Sequence, residues 1–73
     1  MSPRARRMTA IELERLLAGH GFELVSQRGS HRKGRYPETG LQAIVPYQKG
    51  RPIPTGTLVH ILKGAEIARD EWR

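Results

Sequence analysis

The sequence predicts a small α+β domain of order α-β-β-β-α: a three-stranded antiparallel sheet with both helices on one of its faces. Three observations carry that expectation. A T-x-x-E pattern, Thr9 to Glu12, opens a segment with leucines at helical spacing. Three short segments follow, divided by the turn signals Gly29-Ser30 and Pro37-Glu38-Thr39-Gly40. A second apolar stripe, Leu58, Ile61 and Leu62, comes after a loop rich in Pro and Gly.

The first helix is expected over about 9–19. Thr9 can cap it and Glu12 can complete a capping box, while Met8 and Leu13 are placed to form a hydrophobic staple. Leu13, Leu16 and Leu17 mark its apolar face, and Gly19 or Gly21 can supply the left-handed residue that ends it. Residues 22–27 read as a strand, with Phe22 and Leu24 pointing one way and Glu23 and Val25 the other. The segment His31 to Tyr36 is too polar to read as a strand alone, but between two strands it fits the middle of a meander. Residues 41–45 form the third strand, which Pro46 ends. Residues 47–54 are a loop held in order by Pro52 and Pro54, and the second helix starts near Thr55 or Thr57. A sheet and two amphipathic helices bury their apolar sides only against each other, so the other sheet face stays open. This is the arrangement of double-stranded RNA-binding domains.

At 73 residues the chain holds one domain, expected over 9–73 behind a basic tail at 1–8. It has no cysteine, which excludes disulfides, thiolate metal sites and a cysteine nucleophile. No apolar run is long enough to span a membrane, and no apolar stretch follows the basic start as a secretory signal requires; a cytoplasmic protein is expected. The net charge is +6, and it is unevenly spread. Residues 24–63 hold seven of the thirteen Lys and Arg but only one acid, Glu38, whereas charges balance in the flanks. A basic field confined to the middle of the chain suits a polyanion such as nucleic acid.

These residues, in this order, resemble the HicA toxin family, the mRNA-cleaving partners of HicB-type antitoxins. The resemblance rests on Gly21-Phe22, Gln27-Arg28-Gly29-Ser30-His31, Ile44-Val45-Pro46, Gly56-Thr57-Leu58, Ile61-Leu62-Lys63 and Ala65-Glu66-Ile67, and spans about residues 9–72. It implies a double-stranded-RNA-binding-like fold and a metal-independent endoribonuclease acting on mRNA without a cofactor. It further implies a HicB-type antitoxin as partner and His31, in the G-S-H motif, as the catalytic residue. RNA contacts are expected from Arg28, Ser30, Arg32, Lys33 and Arg35. Where the family often carries further histidines, this chain has Arg32-Lys33-Gly34 and Tyr47-Gln48, so no role for a second histidine carries over to those positions.

The chemistry is consistent with the residues. RNA brings its own nucleophile, the 2′-hydroxyl. Cleavage needs a base, an acid for the leaving 5′-oxygen, and positive charge at the phosphate. Histidine suits proton transfer because its unperturbed pKa, about 6.5, lies near working pH, and Lys or Arg suits charge stabilisation. On a strand His31, Lys33 and Arg35 share one face, with Arg32 and Gly34 on the other, and Arg28 can join from across the turn. The acid is not identified by sequence. A two-metal nuclease would need clustered carboxylates, and Glu12 and Glu14, two apart on a helix, cannot face one site.

Plainer roles are open for the same residues. His31 and Ser30 can be turn residues, His20 a solvated helix end, His60 a surface or half-buried structural residue, and Trp72 a late core or partner contact. Tyr36 and Tyr47 can stack on bases or pack at strand edges. Two other functions use the same basic face: RNA binding without catalysis, and docking of an acidic protein.

Overall fold

Thr9 begins the fold as the sequence suggests. The computed structural model describes residues 7–72, so residues 1–6 of the expected basic tail lie outside the described residues. Thr9 accepts a hydrogen bond from the Glu12 amide, and the Glu12 carboxylate accepts one from the Thr9 amide, closing the capping box of α1 (Ala10–Gly19). Met8 and Leu13 are both fully buried at the staple positions. The chain leaves α1 through Gly21 at φ 95°, a left-handed corner beneath the Tyr36 ring: a Cβ there would lie 2.8 Å from Tyr36 Cε1.

Strands β1 (Glu23–Arg28), β2 (His31–Arg35) and β3 (Gln42–Pro46) form an antiparallel meander in the order β1-β2-β3. The polar segment 31–35 is thus the central strand. Helix α2 (Thr55–Gly64) follows, and a 3-10 turn at Arg69–Glu71 brings Trp72 into the core. There its indole N–H donates to the Ile67 carbonyl at 3.0 Å. Both helices pack on β3 from one side, where Ala43 and Val45 meet Leu13, Leu17, Leu58, Ile61 and Leu62. The loop after β3 is ordered as expected: Pro52 bridges to Thr9, and the Ile53 amide donates to the Met8 carbonyl at 2.8 Å.

The first strand differs from the simple alternation. All of β1 is exposed, with Leu24 62% and Val25 50% accessible. The helices lie over β3 and leave this outer edge uncovered. A bulge between Leu24 and Ser26 also leaves Val25 without a partner on β2, which shifts every later residue of β1 to the opposite face.

Candidate nucleic-acid interface

The register fixes what the open face displays. Residues directly opposite in an antiparallel pair share a face. Leu24, Gly34 and Ala43 form one row toward the helices, and Gln27, Arg32 and Val45 another. The solvent face carries the rows Glu23–Arg35–Gln42, Ser26–Lys33–Ile44 and Arg28–His31–Pro46. His31, Lys33 and Arg35 therefore step along one face about 7 Å apart. The bulge at Val25 is what turns Ser26 and Arg28 to that face; with unbroken alternation from Leu24 they would point at the helices. Arg28 thereby sits directly across from His31.

The hairpin turn holds His31 in place. Gly29, at φ 53°, is the first of its two central residues, the position at which a II′ turn takes glycine. The Ser30 carbonyl accepts a hydrogen bond from the Tyr47 amide at 2.6 Å, fastening the turn to the chain leaving β3. Ser30 is exposed at the tip of that hairpin.

Arg32 is set apart from the other cations. Its Nη1 donates to Glu14 Oε1 on α1 at 2.9 Å, and its guanidinium lies 4.1 Å from the centroid of the Tyr47 ring. Both charged side chains of this pair are only about a quarter exposed. Arg32 is thus a tie between sheet and helix, and Tyr47 is its platform. Tyr36 packs on Phe22, with ring centroids 5.6 Å apart, and its hydroxyl donates to Glu38 at 3.2 Å. That hydrogen bond, reinforced by the carboxylate's charge and slight desolvation, raises the phenol above its usual pKa.

The carboxylates are dispersed. Glu12 closes the helix cap, Glu14 holds Arg32 and Glu38 holds Tyr36. Among the described residues no three His, Asp or Glu side chains converge in a way that could hold a metal ion. Also among them, no helix is long and apolar enough to cross a membrane.

His60, for which the sequence leaves a surface or half-buried structural role, is exposed and lines the same groove as His31. That groove, ≈ 440 Å³, runs round the edge of β3 from His31, Ile44 and Pro46 to Thr57 and His60 of α2. Nothing in the local sequence signals this, because it depends on β3 being an edge strand beside α2. The remaining histidine, His20, is half-buried at the C-terminal end of α1, 3.9 Å from Glu71.

Comparison with known protein families gives a match over most of the chain. The model of a family described as HicA toxin of bacterial toxin-antitoxin matches residues 11–67, the greater part of the chain. No curated protein matches the sequence.

Proposed function

The chain belongs to the HicA toxin family of bacterial toxin-antitoxin systems, and from that premise we propose that it is a cytoplasmic endoribonuclease that cleaves mRNA without a metal or cofactor. Its toxicity is this cleavage, and a HicB-type antitoxin restrains it. The observation that carries the reading is the register of the open face: one imidazole, His31, directly opposite Arg28 and two residues from Lys33, on the side no helix covers. His31 takes the proton of the ribose 2′-hydroxyl. The 2′-oxygen attacks the adjacent phosphorus, and the bond to the 5′-oxygen breaks. Arg28 and Lys33 hold the charge that builds on the phosphate oxygens, and Arg35 extends the basic track along β2. Ser30 presents its hydroxyl at the hairpin tip to the sugar–phosphate chain. Arg32 supports this face from behind. The antitoxin covers His31 with an acidic surface that complements Arg28, Lys33 and Arg35.

Incubating the purified chain with single-stranded RNA, with and without EDTA, tests this. Cleavage survives EDTA. One fragment ends in a 2′,3′-cyclic phosphate or the 3′-phosphate from its hydrolysis, and the other starts with a 5′-hydroxyl. A 2′-deoxyribose at the cut position blocks the reaction. Full dependence on magnesium, or binding without cleavage, contradicts the reading; the second result would mark a non-catalytic RNA-binding module.

A further inference from the structure

We propose that His60 is the second proton-transfer group of this site, giving a proton to the departing 5′-oxygen; the inference rests on the reading of His31 as the base. Two of the chain's three histidines line one groove although 29 positions separate them in sequence. His31 reaches it from the open sheet face. His60 reaches it from α2, one position before the buried Ile61 and three after Thr57, so Thr57 and His60 lie together on the side of the helix that borders the groove. Among the described residues, neither imidazole makes a hydrogen bond or ion pair, whereas His20 stands beside Glu71. The groove's ≈ 440 Å³ falls within the roughly 300–1,000 Å³ of small-ligand clefts.

The geometry of phosphoryl displacement asks for two such groups. The entering 2′-oxygen and the leaving 5′-oxygen lie on opposite sides of the phosphorus, and one imidazole cannot attend both at once. With His31 on the sheet side and His60 on the helix side, one proton leaves the 2′-oxygen for His31 as another passes from protonated His60 to the 5′-oxygen. The P–O2′ bond forms, the P–O5′ bond breaks, and no net proton is gained. His31 ends protonated and His60 neutral, and exchange with water restores both. No other side chain of the groove competes for the role: its remaining walls are Ile44, Pro46, Gln48, the Pro52–Pro54 segment, Thr57 and Ile61, none of them acids at neutral pH.

The test uses an oligoribonucleotide carrying the dinucleotide step that the wild-type protein cuts, and the same molecule with sulfur replacing the bridging 5′-oxygen. A thiolate leaves without being protonated. His60→Ala and His60→Gln, checked for unchanged helicity and melting, should cut the oxygen substrate about 10²–10⁴-fold more slowly than wild type. On the sulfur substrate they should run close to the wild-type rate, while His31→Ala stays slow on both. Equal losses on the two substrates, or no loss on the oxygen substrate, overturn the role of His60 and leave that of His31 standing. Wild-type-like cleavage by His31→Ala, or no cleavage by the wild type, overturns the reading of His31 and the assignment of His60 with it.

Discussion

Arg32 lies next to His31 in sequence, yet its side chain is held between α1 and Tyr47. Replacing it with Ala should therefore weaken the fold and spare RNA binding. The substitution removes a 2.9 Å charge-assisted hydrogen bond to Glu14 and a guanidinium stacked 4.1 Å from the centre of the Tyr47 ring. Exposed ion pairs contribute about 0.2–1 kcal/mol. This pair is only about a quarter exposed, so about 1 kcal/mol, the top of that range, is appropriate. The cation–π contact adds about 0.5–1 kcal/mol. The total, about 1.5–2 kcal/mol, should lower Tm by about 6–16 °C in a domain of this size. Circular-dichroism melting measures it, and a double-mutant cycle with Glu14→Ala should return a coupling near 1 kcal/mol. RNA binding, measured well below the variant's Tm, should keep its salt dependence. Lys33→Ala should instead reduce the log–log slope by about 0.7, as one lost phosphate contact on a single strand does. An unchanged Tm for Arg32→Ala, or a slope reduced as much as by Lys33→Ala, would refute this assignment.

Two further outcomes follow from local geometry. Gly21→Ala forces a left-handed φ of 95° on a residue with a Cβ and drives that atom to 2.8 Å from Tyr36 Cε1; the backbone strain alone should cost about 1–3 kcal/mol, and a Tm equal to wild type would contradict the corner described. The Tyr36 phenol, held above its usual pKa of about 10 by its hydrogen bond to Glu38, should titrate late by ultraviolet absorbance and return toward the usual value in Glu38→Gln. Because the unfolded phenol ionises first, its contribution to stability is complete below about pH 10 and is lost as pH rises through the higher folded value.

Much of the fold was legible because its signals are local. The Thr9–Glu12 capping box, the Leu13 and Leu17 face and the Leu58, Ile61, Leu62 stripe each lie within one element, and each has the role its spacing implies. The exposure of Leu24 and Val25 was not legible. Period-two reading assumes an unbroken strand, and an extra residue at Val25 resets the alternation without a signature in residue type. The same bulge decides which face Arg28 occupies. Within β2, where no bulge intervenes, the separation of His31, Lys33 and Arg35 from Arg32 and Gly34 followed directly from alternation. What the sequence hid about the candidate site was long-range: Glu14 and Tyr47 drawing Arg32 away, and α2 bringing His60 to the groove beside His31.

The most direct measurement of the central claim is the rate at which His31→Ala cleaves single-stranded RNA in EDTA, compared with the wild type and accompanied by RNA affinity at fixed salt. His31 is exposed on the open face and contributes nothing to the core, so the variant should fold. It should bind RNA nearly as well as the wild type through Arg28, Lys33 and Arg35 and cleave it roughly 10²–10⁴-fold more slowly. Cleavage at the wild-type rate by the folded variant would contradict the account.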